Sequence, residues 1–153
     1  MLKPYFKNGN NDPLPLHIRV ERQVRFEEVD ALGIVWHGRY PSYLEDARGA
    51  LGQKYGINYL DFHRNGVVAP IKMMHIDYHQ PLTYPDLFEI EGILHWSDAA
   101  RLNFEYIIRN EKGDIMTTGY TVQMMLDLDK NLYMVLPAFY DDFCKRWKAG
   151  ELK

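Results

Sequence analysis

The sequence predicts an α+β domain in which an antiparallel sheet packs against one long helix. Three observations predict it: one strong helical period between Tyr40 and Tyr55, a series of alternating apolar and polar runs downstream, and connections between those runs too short for parallel crossovers. A chain of 153 residues fits one core better than two.

The first 16 residues, which include Asn8-Gly9-Asn10-Asn11-Asp12-Pro13, carry no period and read as an irregular arm, leaving residues 17–153 as a single domain. Ile18, Val20, Val24 and Phe26 then share one parity while Arg19, Glu21, Gln23 and Arg25 take the other, the alternation of a strand with one buried face. That strand should end between Glu27 and Asp30. Tyr40, Tyr43, Leu44, Ala47, Leu51 and Tyr55 follow the i, i+3, i+4, i+7 rule of a helix. Pro41 suits its first turn and Gly56 a left-handed cap at its end. From Val67 to Tyr78 the apolar residues change parity, which predicts a strand bulged near Met73-Met74. Phe88 to Trp96 and Leu102 to Ile108 alternate on either side of Ser97–Ala100, a hairpin. A turn at Asn110–Asp114 leads to Tyr120, Val122, Met124 and Leu126, and another at Asp127–Asn131 leads to a short run through Leu136. Phe139, Phe143 and Trp147, spaced by four after Pro137, predict a closing helix. The strands number five or six.

Composition excludes several functions. A net charge of -3, from 18 Lys and Arg against 21 Asp and Glu, leaves no basic stripe for nucleic acid or an anionic bilayer. No apolar run is long enough to span a membrane, and the opening residues lack the apolar core of a signal peptide. Cys144 alone cannot close an intrachain disulfide. A cytoplasmic location is the expectation. Aromatic residues make up 14% of the chain, which suits an oligomer with a small-molecule cleft.

Most common site chemistries lack support. Neither Ser42 nor Ser97 lies in a nucleophile elbow, Cys144 falls on the closing helix, and no Walker A, dinucleotide or zinc-protease motif occurs. His75 and His79 would stand about 13 Å apart in a strand, so no metal site is expected. What remains is Val24 to His37. It carries Asp30 just beyond a strand, then a turn at Gly33 and an apolar run leading to the start of the main helix. A helix N-terminus supplies free N–H groups and a positive dipole end that stabilise a developing oxyanion. A carboxylate beside such donors can cleave an activated acyl group, and a thioester suits it because a thiol of pKa about 8.5 leaves without a strong acid. The competing reading makes Asp30 only a turn or cap residue.

The run Phe26-Glu27-Glu28-Val29-Asp30-Ala31-Leu32-Gly33-Ile34-Val35-Trp36-His37, extended by Tyr40 and Glu45-Asp46-Ala47-Arg48, resembles the signature of hotdog-fold acyl-CoA thioesterases of the 4-hydroxybenzoyl-CoA thioesterase type. That group includes the Tol-Pal-associated short-chain acyl-CoA thioesterases. The likeness returns at Ile76-Asp77-Tyr78, Pro81 and Tyr84-Pro85-Asp86, and covers roughly residues 18 to 137. It implies a hotdog fold, a sheet of five or six strands wrapped around the helix. It also implies a homodimer with shared active sites, further paired into a homotetramer. The substrate would be an acyl-CoA or acyl-carrier-protein thioester, with no cofactor because coenzyme A is part of the substrate. Asp30 takes the position of the catalytic aspartate and the backbone N–H of His37 that of the oxyanion donor. Glu28 stands where the family often has a second aspartate, and Tyr84-Pro85-Asp86 replaces the usual Tyr-Asp-Asp. The ring of His37 could orient water or face solvent. Gly33, Trp36, Tyr40 and Tyr43 are candidates for lining the substrate, and Ser97 and Arg101 for meeting the coenzyme A phosphates. Glu45 reads as an ion-pair partner of Arg48 or as a helix base. An acyl-thioester-binding protein without turnover is the alternative function.

Overall fold

The helical period between Tyr40 and Tyr55 becomes helix α1 over those residues in the computed structural model, which describes residues 2–152. Pro41 occupies its first turn, where no N–H is needed, and Gly56 closes it at φ 73° with its N–H on the Gly52 carbonyl. Tyr40, Tyr43, Leu44, Ala47 and Leu51 are buried along its inner face. Leu44 and Leu51 together contribute about 3–6 kcal/mol by leaving water.

Strands β1 (Leu16–Gln23), β3 (Ile71–Tyr78), β4 (Leu87–His95), β5 (Arg101–Asn110) and β6 (Ile115–Met124) form one antiparallel sheet in the order β1-β4-β5-β6-β3. A separate pair joins β2 (Val67–Val68) to β7 (Leu126–Asp127). Phe88, Ile90 and Leu94 of β4 and Leu102, Phe104, Tyr106 and Ile108 of β5 bury their side chains in the core that α1 also enters. Helix and sheet pack closely at Gly92, where an added Cβ would stand 3.2 Å from the Cβ of Ala47 and from Ile18.

Several boundaries differ from the pattern. The first strand stops at Gln23: the Val24 N–H still reaches the Asp86 carbonyl in the register of β4, but the Arg25 N–H is taken by the Glu28 carboxylate and a 3-10 turn follows at Phe26–Glu28. Phe26 therefore faces solvent, 76% exposed, instead of the core. The run from Val67 to Tyr78 divides at Pro70, which has no N–H to offer a ladder, and the register irregularity falls between Ile71 and Met73. Helix α2 (Tyr59–Arg64) has no counterpart in the sequence reading, being too short to show a period. It is fixed by a reciprocal cap between Asn58 and Asp61. The run toward Leu136 supplies only a bridge between Leu126 and Leu132. Helix α3 (Ala138–Lys148) starts directly after Pro137 and buries Tyr140, Phe143, Cys144 and Trp147. Burial pushes the Cys144 thiol up to about 12. No helix among the described residues is long and apolar enough to cross a membrane.

Residues 2–15 contain no helix or strand and most are exposed, but a few of them are tied to the domain. The Trp147 indole N–H donates to the Leu14 carbonyl at 2.9 Å, and the rings of Tyr5 and Phe6 lie against Tyr120 on the sheet face away from α1. The same face carries Glu91, buried among His17, Arg19 and Arg109. Burial works against its charge, but the hydrogen bonds from Arg109 and His17 and the charge of Arg19 outweigh that and hold its carboxyl below the usual range.

Two outcomes follow for stability. A carboxyl lowered in the folded state stabilises above its unfolded pKa of about 4.3 and loses that contribution as pH falls through the folded value. Glu91→Gln should thus unfold at lower denaturant than wild type at neutral pH, and the two curves should converge below about pH 4. At Gly119 a Cβ would stand 2.6 Å from the His75 carbonyl oxygen, a backbone atom that cannot step aside. Gly119→Ala should cost about 1–3 kcal/mol in chemical denaturation and loosen β3 from the sheet.

Candidate active site

Asp30 sits at the start of a tight loop whose ends, Val29 and Val35, form an antiparallel bridge. Its N–H donates to the Ile34 carbonyl at 2.9 Å, and the Gly33 N–H returns to the Asp30 carbonyl at 3.0 Å. Gly33 adopts φ 78°, a left-handed conformation that glycine takes without a Cβ clash. The Asp30 carboxylate accepts the Leu32 N–H on Oδ1 at 2.8 Å, so the turn role is real. Its Oδ2 has no hydrogen-bond partner among the described residues and remains available for chemistry. Two further bonds fix the loop: Val35 N–H to the Leu82 carbonyl at 2.8 Å, which makes the bridge between Ile34 and Thr83, and Trp36 N–H to the Glu28 carbonyl at 2.9 Å.

The chain then enters a 3-10 turn at His37–Arg39 that runs directly into α1. The His37 N–H leads this helical run and meets no acceptor among the described residues, as expected of a first-turn donor. The His37 carbonyl is clamped by the Tyr78 hydroxyl at 2.8 Å, which ties the helix start to the end of β3. Asp30, Leu32 and His37 from the loop, Tyr40 from α1, and Tyr78 and His79 from the end of β3 line one cleft of about 350 Å³. Burial raises the Tyr40 phenol above its ordinary value, so it stays neutral. A larger depression of about 580 Å³ lies elsewhere, over β1 and the β5–β6 turn. Its arginines are already ion-paired, Arg19 with Glu89, Arg22 with Asp46 and Arg109 with Glu91, and although Glu111 of the β5–β6 turn lines it, no helix start does.

Of the residues singled out in the sequence, Asp30, His37 and Tyr40 come together in the cleft. Gly33 shapes the loop without lining it. Tyr43 does not line it either: it is 0% exposed, and its ring packs between Tyr40 and Phe88 as part of the core. Trp36, 48% exposed, lies outside the cleft lining with its ring beside that of His37. Gly38 makes room for that ring, since a Cβ there would come within 2.4 Å of it. Ser97 lies in the β4–β5 turn and Arg101 opens β5; Ser97 Oγ accepts from the Ala99 N–H and Arg101 Nε donates to Asn103. Arg101 pairs with Met124, while Ile108 pairs with Thr117 opposite Tyr78. The seven residue steps from Arg101 to Ile108 span about 23 Å of strand, so a single chain does not bring this turn to Asp30. Glu45 holds Arg48 at 2.6 Å, the ion-pair arrangement. The buried Glu28 carboxylate accepts the Arg25 N–H, capping the 3-10 turn. His75 pairs with Asp77 and His79 with Thr118, and no cluster among the described residues could hold a metal ion. The clamp by Tyr78 was not legible in the sequence, because it closes across 41 residues.

Residues 24–147 match the pattern of the thioesterase-like superfamily. The chain belongs to that superfamily. It is 27% identical over 113 residues to YneP of Bacillus subtilis, provisionally named an acyl-CoA thioesterase, a match covering 73% of this chain and 82% of YneP. It is 26% identical over 127 residues to 1,4-dihydroxy-2-naphthoyl-CoA hydrolase of Thermosynechococcus vestitus, covering 82% of this chain and 86% of that one. The solved DHNA-CoA thioesterase of Staphylococcus aureus superposes with a TM-score of 0.78 at 25% identity, covering 88% of this chain and 91% of the other. The α+β arrangement of one long helix and an antiparallel sheet is therefore the hotdog fold of these thioesterases, and thioester hydrolase is the enzyme class in which its relatives fall.

Asparagine at position 30 keeps the acceptor that Leu32 uses. Asp30→Asn should leave the melting temperature near wild type, whereas Asp30→Ala, which loses the turn bond, should cost about 1 kcal/mol by thermal or chemical denaturation.

Proposed function

We propose that the protein hydrolyses the thioester of an acyl-CoA to a free acid and coenzyme A. Asp30 supplies the carboxylate and the His37 N–H the oxyanion contact. The observation that carries this reading is that an unpartnered carboxylate oxygen and an unpartnered helix-start N–H belong to two residues of one cleft. Water attacks the acyl carbon as Asp30 takes its proton, and the carbonyl oxygen gains negative charge beside the His37 N–H. The C–S bond then breaks, and the thiolate leaves unaided by a strong acid. Direct attack by the carboxylate, with the resulting anhydride hydrolysed in turn, uses the same two groups. No metal or redox cofactor takes part in either route. The relatives named for acyl-CoA hydrolysis support coenzyme A as the carrier, with an acyl-carrier protein as the competing one.

The reading includes a homodimer. Strand β3 is a free sheet edge beside the cleft, and it exposes Ile71, Met73, Met74 and Tyr78. An unpaired apolar edge of eight residues invites another strand, and a second copy of this chain is the partner best matched to it. Pairing of dimers into a tetramer and a cytoplasmic setting complete the proposal.

The decisive assay measures thiol release across aromatic and short-chain aliphatic acyl-CoAs. Asp30→Asn should lower turnover about 10²–10⁴-fold on the best substrate while retaining its binding. Turnover close to wild type in that variant would make Asp30 a turn residue only. Light scattering at micromolar concentration should return twice the chain mass or a multiple of it, and a monomer would overturn the shared site.

A further inference from the structure

Outside the loop and helix start, a chain of hydrogen bonds joins the N-terminal arm to the cleft. The Tyr5 hydroxyl lies 2.7 Å from Asp77 Oδ2 and 3.1 Å from Thr118 Oγ1, and Thr118 Oγ1 lies 2.8 Å from Nε2 of His79, a cleft residue. His75 Nε2 stands 3.0 Å from the same Asp77 oxygen. The Tyr5 ring is held in place by Tyr120, 4.7 Å between centroids, and its backbone N–H reaches Glu105 Oε2 at 3.4 Å. The His79 and Gln80 N–H groups both donate to the Met116 carbonyl, so the backbone beneath the ring is also fixed.

Proton counting gives this chain a direction. The hydrogen bonds from Tyr5 and His75 hold the Asp77 carboxyl below its ordinary value, so at neutral pH it only accepts. The single Tyr5 proton therefore goes to Asp77, which leaves the phenol oxygen to accept from Thr118. Thr118 has then spent its own proton, and its oxygen must accept from His79 Nε2. The opposite assignment would set two bare oxygens against each other at 3.1 Å.

We propose that the arm residue Tyr5 is a positioning residue of the cleft, acting through Thr118 to hold His79 with its proton on Nε2 and its acceptor lone pair on Nδ1. The arm is thereby part of the site. The claim that this affects turnover rests on the proposed thioesterase reading, whereas the claim about the ring does not. Thr118 of β6 contacts the His79 ring, Tyr78 of β3, Tyr40 of α1 and Asp30 and His37 of the loop share its cleft, Asp77 is near enough to feel its charge, and Tyr5 and His75 connect to it through Thr118 and Asp77.

The test reads the ring directly. Two-bond proton–nitrogen correlation spectra of the ¹⁵N-labelled full chain, assigned with His79→Gln and recorded at about pH 8 where an ordinary imidazole is neutral, report the tautomer. Wild type and Thr118→Ser should show His79 as the Nε2–H form, and Thr118→Val and Tyr5→Phe should show a mixture. The last two variants should also lose about 3–10-fold in kcat/KM, the worth of one hydrogen bond, with Thr118→Ser restoring it. An Nδ1–H form in wild type, or an unchanged tautomer in either Tyr5→Phe or Thr118→Val, would overturn the inference. Full turnover by Asp30→Asn would instead remove the catalytic reading and leave the tautomer result standing.

Discussion

Everything at the cleft depends on how close α1 can lie to the sheet. Gly92 and Ala47 are small residues facing each other at the crossing, and a methyl group on Gly92 would already press on Ala47 and Ile18. Close packing converts a sequence of small and large residues into a fixed axial position, because interiors tolerate neither voids nor overlaps. With the helix axis set, its first residues arrive beside the Asp30 loop rather than a turn away from it. Leu44, Leu51 and Tyr43 then secure the rest of the inner face. Tyr43 was a candidate for the acyl pocket, but it serves this packing instead.

The loop itself is rigid for a different reason. Val35 at its far end is buried in the core, but Ala31, Leu32 and Gly33 at its tip are exposed, so the tip's geometry comes from backbone bonds to three separate segments: the 3-10 turn at Glu28, the extended stretch at Leu82–Thr83 and the loop's own far end. Such cross-links give a short irregular segment the order that catalysis demands, since misplacing a reacting group by about 1 Å can cost on the order of 10²-fold in rate. Asp30 takes part in this framework with one oxygen and leaves the other free, which reconciles the turn and chemical readings of the same residue.

The elements long enough to repeat were legible in the sequence. Helix α1 coincides with its period because six inward residues and two end signals agree, and the β4–β5 hairpin follows from alternation around a short turn. Where a single residue ended an element, the pattern misled. Val24 and Phe26 keep strand parity, but the Glu28 carboxylate captures the Arg25 N–H and the chain coils away. Pro70 cut a strand in two, and α2 was too brief to announce itself. The candidate site divides the same way. Asp30 and His37 are seven positions apart and could be read together, whereas Tyr78 and His79 reach the cleft only through the pairing of β3 with β6. Ser97 and Arg101, candidates for the coenzyme A phosphates, lie at the opposite end of the strands from the cleft of the same chain.

Helix α3 seals one end of the core with a cysteine facing inward, its thiol buried and far less acidic than an exposed one. The nucleophile in disulfide exchange and alkylation is the thiolate, which is scarce for such a group at any working pH. Reaction of this sulfur with a disulfide or an alkylating reagent therefore requires helix α3 to open first, so its accessibility follows the stability of that helix on the core.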